Sequence, residues 1–331
     1  MKSGLTYLKK LELFKELENF REEVFFAVAD IKLKNHLPQW IQFSPTVYWL
    51  KNPEEEKNFQ TFGDICDFFL KQGIQRSSTI YAFGGGATTD LAGFVASTIL
   101  RGIKWVSIPS TLLGMVDAGI GGKVGINMPH GKNLLGSFCM PEHVYICGDF
   151  LTTLPESEWL SGKGEILKYA FLSREIYQLI LKDAPIEEIA AECARTKMNI
   201  VENDFRDTGE RVLLNLGHTL GHAFEFQLKI PHGLAVAMGL KYILLIMNQM
   251  DAFEEWEKLV QKLQLPIDKM DLKNYSEFKL PKFISYLEQD KKKVNSSIRL
   301  VLVKRIGSCY VEELSLKDFE AKIQNYVEAN S

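Results

Sequence analysis

Three of the chain's six histidines lie between residues 218 and 232, in the segment HTLGHAFEFQLKIPH. His218 and His222 are four residues apart, so on a helix they would share one face. His232 follows a break at Pro231. Imidazole groups at this density are suited to binding a metal ion or transferring protons. The segment therefore predicts a chemically active site.

A catalytic zinc ion usually takes three protein ligands, often two histidines and a carboxylate, and keeps one position open. His218 could pair with His222 on one helix face. Alternatively, one helix histidine could join His232 across the turn, which would leave the other for proton transfer. The carboxylate candidates are Glu165, Glu225 and Asp207. The histidine spacing leaves these alternatives open.

A glycine-rich turn, GGGATTD at 84–90, follows one predicted strand and opens a helix. Glycines let a backbone approach a bulky anion, and the amides at a helix N-terminus favour negative charge. The turn could therefore hold a dinucleotide diphosphate. Its spacing is not GxGxxG, and a tight turn capped by Asp90 is the alternative interpretation.

A second glycine-rich stretch, DAGIGGKVGINMPHGKN at 117–133, predicts a long functional loop. Its lysines, Lys123 and Lys132, could face a phosphate or a carboxylate. Folding would have to bring further cations to them, and the candidates are Arg101, Lys168, Lys197, Arg211 and Lys291-Lys292.

The first 150 residues alternate strand-like and helix-like patterns, which predicts a parallel sheet with helical crossovers. The predicted strands are Val24–Ala29, Thr46–Leu50, Ser78–Phe83 and Lys104–Ile108, and the predicted helices are Thr61–Gln72 and Leu91–Leu100.

After Pro155 the pattern predicts a mostly helical second domain, so we expect domains at 1–154 and 155–331. Two strands, Ser297–Lys304 and Ser308–Glu312, flank a turn at Gly307 and could return to the first domain. The helical patterns run over 156–182, 186–204, 210–228, 233–250 and 252–263.

Composition narrows the class of protein. A net charge of −3 and 46% hydrophobic residues predict a soluble globular protein without a nucleic-acid or membrane partner. The most apolar run, Leu234–Met247, contains Lys241 and is shorter than the ~20 residues of a membrane span. The N-terminus lacks the apolar core of a signal peptide. Five cysteines without a CxxC pair indicate free thiols, so we expect a cytoplasmic protein.

From about Val24 to about Glu312, the order and spacing of several motifs resemble those of the 3-dehydroquinate synthases, within the sugar-phosphate cyclase superfamily. The matching stretches are NPEEEK (52–57), GGGATTDLAGF (84–94), LRGIKWVSIPSTLLGMVDAGIGGKVGIN (100–127), GKNLLGSF (131–138), LTTLP (151–155), GEILKY (164–169), NLGHTLGH (215–222), PHGLAVAMG (231–239) and DKK (290–292).

The resemblance implies an N-terminal NAD-binding α/β domain and an α-helical metal-binding domain, with the active site in the cleft. It implies Zn²⁺ or Co²⁺ bound by Glu165, His218 and His232, which leaves His222 as a catalytic group. The implied NAD contacts are Glu54, Lys57, Gly86, Ala87, Thr88, Thr89, Asp90, Ser110, Thr111, Lys123, Lys132, Phe150, Leu151, Thr152 and Thr153. The other implied catalytic and substrate-binding residues are Arg101, Asp117, Lys123, Asn133, Lys168, Lys197, Arg211, Asn215 and Lys292.

The implied activity is that of a lyase of the shikimate pathway, which supplies chorismate for aromatic amino acids. It converts 3-deoxy-D-arabino-heptulosonate 7-phosphate to 3-dehydroquinate and phosphate. The steps are transient oxidation by NAD, phosphate elimination, reduction and intramolecular aldol closure. The family arginine that Arg101 matches reaches the neighbouring subunit's site, which implies a homodimer.

Six residues at four sites depart from the family pattern. Thr88-Thr89 replace smaller residues, Ala118-Gly119 stand where serines are common, Ala170 replaces a glycine, and Leu234 replaces a glutamate after His232-Gly233. These departures bear on efficiency more than on reaction type. Three alternatives stay open: another sugar-phosphate cyclase, a metal-dependent polyol dehydrogenase, and a catalytically silent NAD-binding paralogue, which the Leu234 change in particular keeps open.

Overall fold

The computed structural model describes residues 3–19, 25–291 and 297–329. It divides into two compact units, Met1–Pro155 with Lys197–Arg206, and Glu156–Thr196 with Asp207–Ser331. The boundary after residue 155 lies one residue from the predicted one. The assignment of residues 197–206 to the first unit was not predicted.

The described residues of the first unit form a six-stranded sheet, whose strands in spatial order are β1 Gly4–Tyr7, β8 His143–Ile146, β5 Lys104–Pro109, β4 Thr79–Gly84, β2 Phe26–Asp30 and β3 Val47–Leu50. Its neighbouring strands are all parallel, as predicted. Phe26 and Ala27 on β2 are fully buried, as expected for a strand covered on both faces.

Helices follow most of these strands. Helix α4 begins after Asn58, whose side chain accepts a hydrogen bond from the Thr61 amide, and it buries Ile65 and Phe69. The α-helices of this unit are α1 Lys10–Glu18, α2 Gln39–Gln42, α3 Pro53–Glu56, α4 Phe59–Lys71 and α5 Gly86–Thr98. Short 3₁₀ segments occupy Ile31–His36, Ile99–Arg101 and Gly148–Thr153.

Helix α5 begins at Gly86, five residues before the predicted start at Leu91. Because glycine has low helix propensity, the sequence pattern placed the start of the helix too far along the chain. Gly84 ends β4, Gly85 is the N-cap residue, and only Gly86 lies in the helix, at its first position.

The predicted loop at 117–133 is wrong. Residues Gly114–Ala118 form a π-helical turn, and β6 Lys123–Met128 pairs antiparallel with β7 Gly131–Phe138. A Cβ atom at Gly136 would lie 2.4 Å from the Val124 carbonyl oxygen, so the glycines permit close strand approach. A stretch with this many glycines is typical of a flexible loop, but here the glycines allow the two strands of a β-hairpin to approach closely.

The second unit is mostly helical, as predicted. The pattern at 156–182 divides at Ser173, which caps the second of two helices, and that at 210–228 begins with a 3₁₀ segment, Glu210–Asn215. The helices are α6 Glu156–Leu172, α7 Arg174–Leu181, α8 Ile186–Asn203, α9 His218–Leu228, α10 His232–Ile246, α11 Met250–Lys262, α12 Leu280–Lys291 and α13 Leu316–Ala329. Residues of α8 from Lys197 onward belong to the first unit.

No helix among the described residues combines the length and the apolar character that a membrane crossing requires.

The strands β9 Ser297–Arg305 and β10 Ser308–Ser315 form a separate antiparallel pair in the second unit. Their predicted return to the first domain is therefore wrong. Within the second unit, the Gln249 side chain bonds both backbone groups of Val303, and the Gly307 amide donates to the Phe171 carbonyl. These contacts fix the pair beside α6 and α11.

Helices α6, α9 and α10 approach one another through glycines. A Cβ atom at Gly164 would lie 1.9 Å from the Gly233 carbonyl oxygen, and one at Gly239 would lie 2.1 Å from the Gly217 carbonyl oxygen. The three helices are thus in backbone contact. This packing brings Glu165, at the residue after Gly164, next to the first residues of α9 and α10.

Candidate metal and nucleotide sites

The structure brings Glu165, His218 and His232 together, each with a ligand atom within 4.8 Å of the others. The Nε2 atoms of His218 and His232 lie 3.3 and 3.2 Å from Glu165 Oε1. Ligands on one tetrahedral zinc ion, with bonds of about 2.0–2.2 Å, stand about 3.4 Å apart. The three donors therefore have the chemistry and spacing of a divalent-cation site, and the pairing across the Pro231 turn is the observed one.

Both imidazole rings are anchored through their other nitrogen. His218 Nδ1 lies 3.2 Å from the Leu216 carbonyl oxygen, and His232 Nδ1 lies 2.7 Å from Glu225 Oε2. With Nδ1 held by these contacts, Nε2 is the ring nitrogen that can bind a metal ion. Both Nε2 atoms face Glu165, as metal binding requires.

The charge at this cluster is unusual for a protein interior. Glu165 is fully buried, and Lys168 Nζ lies 2.5 Å from its Oε2 atom. Burial raises the pKa of Glu165, but the charges of Lys168 and His218 outweigh it and hold the pKa well below its usual value. Burial lowers the pKa of His232, whereas its bonds to Glu165 and Glu225 raise it, to about 10 overall. The carboxylates thus stabilise positive charge at this position.

His222 lies beside the ligand cluster without belonging to it. Its ring centroid is 5.3 Å from that of His218 and 6.0 Å from that of His232. The side chain is exposed. It can therefore exchange protons with solvent or with a bound molecule.

Two of the predicted cations of the second unit, Lys168 and Arg211, are buried, with exposures of 1% and 3%. Lys168 Nζ also lies 4.5 Å from the centroid of the Tyr169 ring. Asn215, at the end of the 3₁₀ segment, is exposed. Lys292 lies outside the described residues.

In the first unit, β4 leads directly through Gly85 into α5. A Cβ atom at Gly85 would lie 3.0 Å from the Thr111 methyl carbon, and one at Gly86 would lie 2.8 Å from Ala118 Cβ. The Ser110 amide donates to the Gly84 carbonyl at 2.8 Å. The turn is narrow, and its residues 85–87 are partly exposed. Their backbone can receive a phosphate at the start of the helix.

Several predicted nucleotide contacts have buried side chains. Thr88, Thr89, Phe150 and Leu151 are between 0% and 4% exposed. The Thr89 hydroxyl donates to the Gly86 carbonyl, while that of Thr88 has no hydrogen-bond partner in the described part of the chain. At these positions only the backbone is available to a ligand. The exposed predicted contacts are Glu54, Lys123, Lys132, Thr152 and Thr153.

Lys57 joins predicted residues into a polar network. Its Nζ atom donates to Asp90 Oδ2 at 2.5 Å and to Asn133 Oδ1 at 2.6 Å. Asn127 accepts from the Asn133 amide and donates to Glu54 Oε1. Asn127 was not among the predicted site residues, although it is the last residue of the matching stretch at 100–127. The network fixes these polar groups next to the start of α5.

Lys197 and Asp117 form a second pair within the first unit. The Lys197 ammonium donates a hydrogen bond to the Asp117 backbone carbonyl oxygen at 2.7 Å. The Asp117 carboxylate oxygen Oδ2 lies 3.1 Å from the same Nζ atom. Lys197 is 6% exposed. The segment 197–206 thus supplies a buried cation to the π-helical turn at 114–118.

Two profiles of one protein family match the chain. The profile described as 3-dehydroquinate synthase N-terminal matches residues 47–161, and the one described as 3-dehydroquinate synthase C-terminal matches residues 162–293. The 3-dehydroquinate synthase of Staphylococcus carnosus is 36% identical, covering 96% of this chain and 94% of the relative. That of Leptospira interrogans is 40% identical, covering 80% and 76%.

Solved structures share the fold. The 2-epi-5-epi-valiolone synthase of Streptomyces hygroscopicus, solved with NAD⁺ and Zn²⁺, superposes with a TM-score of 0.83 at 21% identity. The alignment covers 99% of this chain and 98% of that one.

Proposed function

The chain belongs to the 3-dehydroquinate synthase family, and we propose that it converts 3-deoxy-D-arabino-heptulosonate 7-phosphate to 3-dehydroquinate and phosphate, as an NAD- and metal-dependent lyase. The observation that carries the proposal is the cluster of Glu165, His218 and His232. The 3-dehydroquinate synthase of Staphylococcus carnosus aligns with 96% of this chain, so the proposal extends to the complete reaction.

Glu165, His218 and His232 would hold Zn²⁺ or Co²⁺, for which two imidazoles and a carboxylate are suitable ligands. The chemistry that such an ion supplies is polarisation of a substrate hydroxyl and stabilisation of negative charge on its oxygen. The neighbouring His222 would exchange the proton of that hydroxyl, since it is exposed and lies one helical turn from His218.

The glycine turn at 84–86 and the first turn of α5 would hold the NAD diphosphate. The narrowness of the turn supports this, because a side chain at Gly86 would occupy the space next to Ala118. The chemistry that NAD supplies is reversible acceptance of a hydride. Lys57, Asp90 and the other predicted contacts of the first unit would orient it.

The buried cations would bind the anionic groups of the substrate. Lys168, Lys197 and Arg211 are 1%, 6% and 3% exposed, so water and salt screen their charges only weakly. Charge-assisted hydrogen bonds from such groups to phosphate or carboxylate contribute roughly 1.5–3 kcal/mol each. Asn133, Asn215, Asp117, Lys123 and Lys292 would complete the substrate contacts.

We also propose that the protein is a cytoplasmic homodimer in which Arg101 serves the partner's site. Arg101 is exposed, and it and Leu100 adopt positive φ angles of 70° and 52°. Such conformations are costly for residues with side chains and are typical of functional positions. Gly102 follows them with a φ of 107°, a conformation that glycine adopts without strain.

A phosphate-release assay with the heptulosonate phosphate tests the activity. We expect release that depends on NAD and is abolished by a chelator, with no net NADH at 340 nm. Sedoheptulose 7-phosphate, which lacks the carboxylate, should be a poor substrate. Its preferential turnover would identify another sugar-phosphate cyclase instead.

Two further outcomes would also contradict the proposal. NADH formed in proportion to product would identify a dehydrogenase, and NAD binding without phosphate release would identify a catalytically silent relative.

A further inference from the structure

We propose that Glu225 is a positioning residue that holds the His232 ring in the orientation needed for metal binding. The inference deepens the proposed function and rests on it, because it assumes that His232 binds the metal. Glu225 itself would stay outside the ligand set, although its carboxylate is one of the candidates that the sequence offered.

The His232 ring lies between two carboxylates. Its Nδ1 atom is 2.7 Å from Glu225 Oε2, and its Nε2 atom is 3.2 Å from Glu165 Oε1. The first distance is that of a strong charge-assisted hydrogen bond. With the Nδ1 proton donated to Glu225, Nε2 is the nitrogen directed at the ligand cluster, and its lone pair would be available to a metal ion that displaces the Nε2 proton. One contact therefore sets both the tautomer and the rotation of the ring.

Packing restrains this ring less than its counterpart. The His232 side chain is 28% exposed, whereas that of His218 is 13% exposed. His218 is anchored by the Leu216 backbone carbonyl, which no substitution removes. His232 is anchored by a side chain. Its orientation should therefore be sensitive to residue 225.

Glu225 and His232 lie on opposite sides of the turn between α9 and α10. Lys229, at the end of α9, has a positive φ of 53°, and Pro231 precedes the first residue of α10. The turn thus brings the last part of α9 back to the start of α10. Leu234, two residues beyond His232, is apolar and fully buried, so it offers no carboxylate to the ring. Glu225 supplies that carboxylate from the other helix.

The test compares Glu225→Ala and Glu225→Gln with wild type. Apo proteins are titrated with Co²⁺ while its d–d absorption is recorded, and Zn²⁺ affinity is measured by competition with a chromophoric chelator. We expect Glu225→Ala to weaken metal binding 10- to 100-fold and to alter the Co²⁺ spectrum. Glu225→Gln keeps a hydrogen-bond acceptor without the charge, so it should lose less affinity than Glu225→Ala.

Gln227→Ala is the matched control on the same helix. Gln227 is 8% exposed and donates a hydrogen bond to the Lys279 carbonyl at 3.1 Å, away from the cluster. It should keep wild-type metal affinity even if it unfolds at a lower temperature. An equal loss of affinity in this variant would assign the effect to general destabilisation of α9 and overturn the role of Glu225.

The remaining outcomes separate the two proposals. If wild type binds metal tightly and Glu225→Ala matches it in affinity and spectrum, the positioning role is wrong and the metal site stands. If wild type itself fails to bind Co²⁺ or Zn²⁺, the metal site is wrong and the proposed function fails with it.

Discussion

Lys57 and Asp90 form a short ion pair, with 2.5 Å between Lys57 Nζ and Asp90 Oδ2. The Lys57 side chain is 5% exposed and that of Asp90 is 19% exposed. A pair this sheltered has lost much of its hydration, so each charge depends on the other. The pair also joins α5, the helix behind the glycine turn, to the segment that follows α3.

Replacing Lys57 with Met should destabilise the first unit and weaken NAD binding. Removal of the ammonium leaves the Asp90 carboxylate without its close partner, which we expect to cost up to about 3 kcal/mol. Urea unfolding measures the loss, and NAD affinity is measured by calorimetry. The double variant Lys57→Met/Asp90→Asn should recover part of the stability. If the double variant lost as much unfolding free energy as the Lys57→Met and Asp90→Asn single variants together, the two residues would not be coupled.

The cysteines should react slowly with alkylating agents in the folded protein. Burial raises the pKa of Cys66 and Cys147 to about 11 and that of Cys309 to about 12. At pH 8 the reactive thiolate would then be scarce, compared with a free cysteine of pKa ~8.5. We expect iodoacetamide to label these residues at least about 100-fold more slowly in the native protein than in urea, as followed by mass spectrometry. Equal rates with and without urea would contradict this.

The sequence predicted four of the six sheet strands and the helices between them, because buried parallel strands and amphipathic helices have distinct periodicities. It did not predict the strands Gly4–Tyr7 and His143–Ile146. The prediction was also wrong where glycines allow close packing of two strands. The glycines of 117–133 predicted a loop, yet Gly125 and Gly136 allow two strands to approach. Composition cannot distinguish a glycine that makes a loop flexible from one that allows a neighbouring backbone segment to pack closely.

The metal cluster was predicted in part. Histidine spacing identified the region, but it left open which histidines would pair and which carboxylate would join them. The family resemblance supplied the set Glu165, His218 and His232, which the fold brings together. Local pattern could not do so, because the three residues lie on different helices and their distances depend on how those helices cross.

The helix crossing leads to a prediction about Gly164 and Gly233. Alanine at Gly164 would place its Cβ atom 1.9 Å from the Gly233 carbonyl oxygen, and alanine at Gly233 would place one 1.9 Å from the Ser161 carbonyl oxygen. Backbone cannot move aside as a side chain can, so each change should separate α6 from α10. We expect a loss of at least about 3 kcal/mol in unfolding free energy, and loss of metal binding.

Gly63→Ala is the control for this substitution. Gly63 lies in α4, and a Cβ atom there would meet no other atom within 4 Å. The same change should therefore stabilise the protein by about 0.5–1 kcal/mol through helix propensity. Thermal unfolding of the three variants gives the comparison. A Gly164→Ala protein as stable as Gly63→Ala would rule out the close crossing.

His218 and His222 should be separable by substitution, although they lie one turn apart on α9. His218→Ala removes a ligand atom that lies 3.3 Å from Glu165 Oε1, so both metal binding and phosphate release should be lost. His222→Ala leaves Glu165, His218 and His232 intact. It should bind Co²⁺ with near wild-type affinity but lower kcat about 10²- to 10⁴-fold, the usual contribution of a proton-transfer group. Metal titration and phosphate release on the same preparations separate the two roles. Loss of metal binding in His222→Ala, with retention in His218→Ala, would reverse the assignment and restore the pairing of His222 with His232.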